Sequence, residues 1–431
     1  MTTNTTASAS KNLSPAGALT NFPQRPVSFP PSPILNSMDS EINLETKILC
    51  LCCRVSSDSR QTARLLSLLQ KKIDWDYLLA LAKKHRVTPL LFYRLKDAAS
   101  DAVPAHTLEQ LERQFHFNLA SNLTLARELA AILASFRANR IDTLPLKGIV
   151  AAAGIYGSLA LRSTGDLDLL IHRRDLSRAK ALLEARGFLL CEEHARAANP
   201  STLLELHLYR PADKILVDLR WRITPSYFSG SLDLDYLHEY IQPLQLMKAE
   251  VPSLAPEELL LTLCIHGSKH QWERLMWACD VAELLRAHPG LDWERVAQHA
   301  SRLGVAGATL CGLLVARATL DAPLPEAVLN SFGSRKSAQL AAGQACNDLF
   351  IDHPGRQSLR YHLRLMERRG DQLRFLALSA GSKLRQLRPN DLDRAVLPLP
   401  KALRFLYFVV RPVRLLARSV QKFILRGPSV N

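Results

Sequence analysis

Apolar residues recur at intervals of three and four over most of this chain, and at intervals of two in one short region near its middle. The first spacing predicts helices with one buried face, the second strands with one buried side. From Glu41 to Arg140 the period is helical. Asp74-Trp75-Asp76 leads into Tyr77-Leu78-Leu79-Ala80-Leu81-Ala82. Pro89 stands where an early helical turn tolerates it, ahead of Leu90 to Leu95, and Leu108 to Phe136 reads as one long amphipathic helix. The period then changes. Leu167, Leu169 and Ile171 alternate with Asp166, Asp168 and Leu170, and a short strand is expected at Phe188 to Cys191. Leu204, Leu206 and Leu208 alternate with Glu205, His207 and Tyr209, and Ile215, Val217, Leu219 and Trp221 with Leu216, Asp218, Arg220 and Arg222. Arg210-Pro211-Ala212-Asp213 reads as the turn between the last two strands. Asp175 can cap a helix that runs to Arg186 and stops at Gly187. From Ala255 the helical period returns.

The predicted class is therefore α+β: a small mixed β-sheet core over residues 141–225, flanked by all-helical regions at 41–140 and 226–395. Residues 1–40, rich in Ser, Thr, Asn and Pro, are expected to be disordered, and 396–431 to form a basic amphipathic tail.

An apolar content of 47% and a charged content of 22% are ordinary for a globular protein. The formal net charge of +15 is not, and it favours polyanionic partners: nucleotide phosphates, nucleic acid or an anionic membrane surface. The eight cysteines form no paired framework, so they are expected as reduced thiols of a cytoplasmic protein. The first forty residues hold no apolar segment of a secretory signal. No uncharged apolar run approaches the ~20 residues of a membrane span.

Chemistry concentrates where the period is two. Residues two apart on a strand share a face, so Asp166 and Asp168 are expected to project together while Leu167, Leu169 and Ile171 bury. Two carboxylates so held can seat Mg²⁺, which fills its octahedron with water and phosphate oxygens. Asp218, on the polar side of a later strand, is the expected third ligand, and Arg220 and Arg222 on the same side can meet phosphate oxygens. Lys147-Gly148 precedes a short helical stretch from Ile149 to Tyr156. A glycine there lets phosphates approach free backbone N–H groups, and Lys147 adds a charge. Gly157-Ser158 is a second candidate for that turn.

These residues resemble a known family. Leu146-Lys147-Gly148, Tyr156, Arg162, Gly165-Asp166-Leu167-Asp168-Leu169-Leu170 and Gly187-Phe188 look like bacterial uncharacterised nucleotidyltransferases of the DNA polymerase beta–like superfamily. Asp218-Leu219-Arg220-Trp221-Arg222 resembles a family strand with His where Arg220 stands, so a role of that His does not carry over. The segment from Pro256 through His266, Lys269 and His270 to Trp277 and Asp280 is a second likeness, and the whole spans roughly residues 47–416.

The resemblance implies transfer of a nucleoside monophosphate from a nucleoside triphosphate (NTP) to an acceptor that could be a small molecule, a protein or RNA. Mg²⁺ or Mn²⁺ would be held by Asp166, Asp168 and Asp218, and the nucleotide by Lys147, Gly148, Arg162, Arg220, Lys269 and His270. The alternative is a degenerate fold that holds a nucleotide or nucleic acid without turnover; the intact carboxylates favour the enzyme.

Two further features stay open. His266, His270, Glu273, Trp277 and Asp280 are expected on one face of a single helix by their three and four spacing. Their histidines could bind zinc, be buried and hydrogen-bonded, or border the nucleotide pocket with Lys269. In the tail, Arg404, Arg411, Arg414, Arg418 and Lys422 interleave with apolar residues. This stretch could pack on the helical domain or make a peripheral contact with an anionic membrane.

Overall fold

The structure, a computed structural model, describes residues 43–191, 205–332, 335–351 and 358–386, with Pro400, Leu406, Tyr407 and Arg411 beyond them. The expected disordered N-terminus and almost all of the basic tail lie outside the described residues.

Among the described residues five helices come first: α1 (Leu44–Cys52), α2 (Ser59–Leu69), α3 (Trp75–Lys84), α4 (Thr88–Ala99) and α5 (Ala105–Ala138). Short polar side chains start three of them. The Asn43 side chain accepts from the Thr46 N–H at 2.9 Å, Asp58 makes a reciprocal cap with Gln61, and Asp74 accepts from the Tyr77 N–H at 2.9 Å. Pro89 sits in the first turn of α4, where no N–H is needed.

The middle region is a five-stranded sheet of β1 (Thr143–Pro145), β2 (Leu167–Ile171), β3 (Leu189–Leu190), β4 (Glu205–Arg210) and β5 (Ile215–Arg220), in the order β1-β2-β5-β4-β3. It is mixed, since β2 and β5 run parallel and the other pairs antiparallel. Helix α6 (Ile149–Gly154) connects β1 towards β2, and α7 (Leu176–Ala185) connects β2 to β3. Leu167, Leu169, Ile171, Val217 and Leu219 bury on one side of the sheet, against Leu129, Ile132 and Phe136 of α5 and Leu183 of α7. The other side, carrying Asp168 and Asp218, faces the helical mass. β1 escaped the sequence reading: three residues are too few for an alternation to show.

A second sheet element, the hairpin β6 (Ile241–Leu246) and β7 (Ala249–Leu254), follows the short helix α8 (Leu234–Leu237). It lies inside the region expected to be all-helical, and it corrects that expectation. Pro243 and Pro252 stand opposite each other in it, and prolines argue against strands. A two-stranded ribbon has two free edges and tolerates them. Leu246 and Val251 join the apolar side of the main sheet, so the hairpin packs as part of the core.

The remaining described elements are helices: α9 (Pro256–Lys269), α10 (Leu275–Ala287), α11 (Trp293–Leu303), α12 (Ala306–Leu320), α13 (Glu326–Ser331), α14 (Lys336–Leu349), α15 (Leu359–Leu365) and α16 (Arg369–Gln386). Ile48, Leu49 and Leu91 from the first helices share one apolar cluster with Leu260, Leu284, Leu313 and Leu349 from the last. The two helical regions thus form one body around the sheet's polar side.

The continuous helix expected through Asp280 is broken. His270 caps α9, and Gln271 and Trp272 adopt left-handed backbone angles, φ +53° and +57°. The buried Trp272 indole folds back on Gly267, where a Cβ would stand 2.5 Å from the ring. That approach is why position 267 is glycine. No described helix is long and apolar enough to cross a membrane.

Candidate active site

The two central strands deliver the carboxylates. β2 and β5 run side by side in a register that sets Asp168 beside Asp218. Asp166 stands just ahead of β2, not within it as expected, yet it reaches the same point. The three residues can each offer one carboxylate oxygen, with all three oxygens within 4.8 Å of one another. Asp168 and Asp218 are buried and Asp166 is half-buried.

Cations crowd this group. Lys147 is ion-paired to Asp168 through Oδ2. Arg220 Nη2 lies 2.7 Å from Asp168 Oδ1, 2.9 Å from Glu205 Oε2 and 3.6 Å from Asp218 Oδ2. Lys269 Nζ lies 3.6 Å from Glu205 Oε1, and His207 Nδ1 contacts Asp218 Oδ1. Burial opposes the ionisation of Asp168, but Lys147 and Arg220 outweigh it and hold the carboxyl well below its usual range. Asp166 goes the other way: burial, then the charge of Asp168, pushes its carboxyl up. A like charge that raises its neighbour is what a bound cation would relieve. Asp168 Oδ1 is buried and, despite the nearby guanidinium, accepts no well-aligned hydrogen bond. An all-oxygen donor set with one such atom fits a hard divalent ion such as Mg²⁺ or Mn²⁺.

A cavity of about 20 Å³ opens beside the carboxylates, lined in part by Lys147, Arg220, Thr262, His266 and Lys269. Three expected phosphate contacts therefore meet at one cavity. Burial, with Lys147 and His270 adding to it, lowers the His266 pKa well below that of a free imidazole. His270 is lowered to about 4, by burial first and then Lys269. His266, His270 and Trp277 meet as a ring cluster across the α9–α10 break, at centroid distances of 4.9–5.2 Å. His270 borders the site through this cluster. Among the described residues the histidines join no potential metal-binding group.

Gly148 precedes α6 with φ +70°, and a Cβ there would stand 3.2 Å from Thr164 Cγ2 and 3.5 Å from the Asp166 carbonyl oxygen. The glycine lets the Lys147 turn lie against the Asp166 loop. Gly157-Ser158 forms a separate turn, with the Ser158 hydroxyl accepting from the Ala160 N–H at 3.2 Å.

Two of the expected phosphate contacts do not line this cavity. Arg162 is sealed away from the cavity. Its Nε and Nη2 donate to the two carboxylate oxygens of Asp280 at 2.8 and 2.7 Å, and the Tyr156 hydroxyl donates to the same carboxylate at 2.8 Å. The Arg162 side chain is 3% exposed, so this guanidinium ties the loop ahead of β2 to α10. Arg222 donates to Thr224 Oγ1 and to the carbonyls of Phe228 and Gly230, bracing a loop.

Sequence reasoning gave no role to Glu205 or His207. The turn at Arg210–Asp213 contained the signal. Counting back from Arg210 opposite Ile215 sets His207 across from Asp218 and Glu205 across from Arg220. Arg86 was also missed. Its guanidinium stands 3.4 Å from where a Gly165 Cβ would be, brought there by the His85–Leu275 contact between α3 and α10.

The model of one protein family, described as uncharacterised nucleotidyltransferase, matches residues 71–321. The chain belongs to this family. The matched span takes in the sheet, the three aspartates, Lys147, Lys269 and the Arg162–Asp280 pair. No curated protein matches the chain. Among solved structures, an antigenic nucleotidyltransferase-like protein from Paracoccidioides brasiliensis is similar at 14% identity, with 43% of this chain and 91% of that chain covered and a TM-score of 0.27. That likeness is too slight to argue from.

Proposed function

We propose that the protein is a metal-dependent nucleotidyltransferase of the polymerase beta–like type, moving a nucleoside monophosphate from an NTP to an acceptor. The observation that carries this reading is the convergence of Asp166, Asp168 and Asp218 beside a cavity walled by Lys147, Arg220 and Lys269. Asp166, Asp168 and Asp218 would hold Mg²⁺ or Mn²⁺. Bound there, divalent ions stabilise the attacking and leaving oxygens of an in-line displacement.

The chain's own residues do the rest. Lys147, Arg220 and Lys269 bind and orient the triphosphate, in chemistry that depends mainly on positioning and charge. Arg220 and Lys147 keep Asp168 ionised, so a ligand oxygen is ready at neutral pH. His207 contacts Asp218 across the β4–β5 pair and fixes its carboxylate. Burial raises the Asp166 carboxyl first and the charge of Asp168 second, and a cation between the three acids would offset the second.

The chain's net charge of +15 suits a polyanionic acceptor such as RNA as well as a phosphorylated small molecule. The test is incubation with each labelled triphosphate, Mg²⁺ and a cell extract, followed by fractionation. Label entering one acceptor class, and vanishing with EDTA, is the expected result. No transfer from any of the four triphosphates to protein, RNA or small molecules would overturn the enzyme reading in favour of a nucleotide-holding module.

A further inference from the structure

Every cation that lines the site's cavity has an acid in reach, and one of those acids is outside the metal-holding group. Glu205 is the first residue of β4 and lies directly across from Arg220 of β5. Its carboxylate oxygens are divided between two cations: Oε2 is 2.9 Å from Arg220 Nη2, and Oε1 is 3.6 Å from Lys269 Nζ. Arg220 comes from the sheet and Lys269 from the end of α9, so Glu205 links the two walls of the cavity. Glu205 does not belong to the group of three carboxylates that can share an ion. Burial penalises its charge, yet Arg220, Lys269 and His207 outweigh that and hold the carboxyl below its usual range. The cavity between these walls, about 20 Å³, has room for about one water and not for a triphosphate. Glu205 thus occupies two of the cations that phosphates would need.

We propose that Glu205 is a positioning residue that stands in for the triphosphate: it holds Arg220 and Lys269 together, and an entering polyphosphate must displace it from both. This rests on the nucleotide-binding role proposed above. The physical reason is competition of like for like. A carboxylate and a phosphate oxygen make the same charge-assisted contacts with guanidinium and ammonium groups, so one excludes the other. Displacement costs the polyphosphate part of its affinity. In return, Arg220 and Lys269 are kept ordered at the cavity wall and are not left to swing into water.

The test needs no metal and no turnover. Binding of inorganic tripolyphosphate to the full chain is measured by calorimetry in EDTA at low salt. Wild type is compared with Glu205→Gln, Glu205→Asp, Lys269→Ala and the double variant Glu205→Gln/Lys269→Ala. Gln keeps the shape and removes the charge, and Asp keeps the charge but is one methylene too short to reach both cations. The proposal expects both Glu205 variants to bind roughly threefold to tenfold more tightly than wild type, the range that freeing partly exposed ion pairs allows. It also expects Glu205→Gln to add much less in the Lys269→Ala background.

If Glu205→Gln binds more tightly but Glu205→Asp matches wild type, the effect is a general field of negative charge and the displacement idea falls. If all variants bind as wild type does, or the Glu205 variants bind more weakly with unchanged melting temperature, it falls as well. If wild type and every variant fail to bind tripolyphosphate and ATP alike, the nucleotide reading falls with it. Wild-type binding that Glu205 does not modulate sinks only the present proposal.

Discussion

Two assemblies of buried charge lie on either side of the loop that leads into β2, and they are built on opposite principles. In one, Arg162, Asp280 and Tyr156 close on themselves. Both carboxylate oxygens are used, the guanidinium donates twice to one partner, and both side chains are all but inaccessible, at 3% and 1% exposure. In the other, Asp166, Asp168, Asp218 and Glu205 crowd around Lys147, Arg220 and Lys269 with contacts that are shared, lopsided and open to a cavity. One acid there is pushed up and its neighbour held down. A charge whose contacts are all used holds the fold together. A surplus of acids around shared cations is an arrangement that a ligand completes. Arg162 and Arg220 look alike in sequence, and this difference separates them.

The comparison can be broken most directly at its two central aspartates. Asp168→Asn should reduce nucleotidyl transfer by roughly a thousandfold per folded molecule, the upper end for loss of one electrostatic stabiliser. Full labelling by this variant, with contaminating enzyme excluded, would show that the chemistry lies elsewhere.

Asp280→Asn should do the reverse. It leaves the buried Arg162 charge uncompensated, and stability should fall by about 3–5 kcal/mol in denaturant titration. Triphosphate binding per folded molecule should persist. A variant of normal stability that no longer binds nucleotide would move the Arg162–Asp280 pair into the site.

Lys147→Ala sharpens the comparison within the open assembly. Triphosphate affinity should drop roughly tenfold, the value of a hydrogen bond to a charged group. Unaltered affinity would shift the phosphate role to another turn, with Gly157-Ser158 the first to examine.

Acidification gives the smallest effect. Burial lowers His362 to about 4, and burial with Lys269 and Lys147 lowers His270 to about 4. Between pH 6.5 and 4 the unfolded chain binds more protons at these positions than the folded one. Stability is therefore full above pH 6.5 and is lost as pH falls towards 4. Melting followed from pH 7 to pH 5 should show a decline that His362→Asn reduces by about 1 kcal/mol. A flat profile would mean that these imidazoles are not held neutral by the fold.

Much of this architecture was legible beforehand because it is local. Period-two alternation located β2, β4 and β5, the change back to period three and four located the later helices, and Gly187 marked a helix stop, although Asp175 makes no capping hydrogen bond at that helix's start. Spacing alone also put Asp168 and Asp218 on the polar sides of their strands. What the alternation could not show was whether two polar sides face the same way. That depends on which strands are neighbours and in which direction they run, and the parallel β2–β5 pairing settled it. Short or proline-bearing strands, β1 and the β6–β7 hairpin, have too little pattern to be read. Their neighbours hold them in place.

The sequence by itself determined the class of the fold, the polar and apolar sides of the main strands, and the residue types that suit a metal–phosphate site. Tertiary structure alone decided which charges are partners. Arg162 meets Asp280 across 118 positions of chain, and Lys269 meets Glu205 only because α9 ends where β4 begins its pairing. A charged side chain pairs with whatever the packing brings within about 4 Å, and the packing depends on apolar surfaces distant in sequence from the charges they bring together.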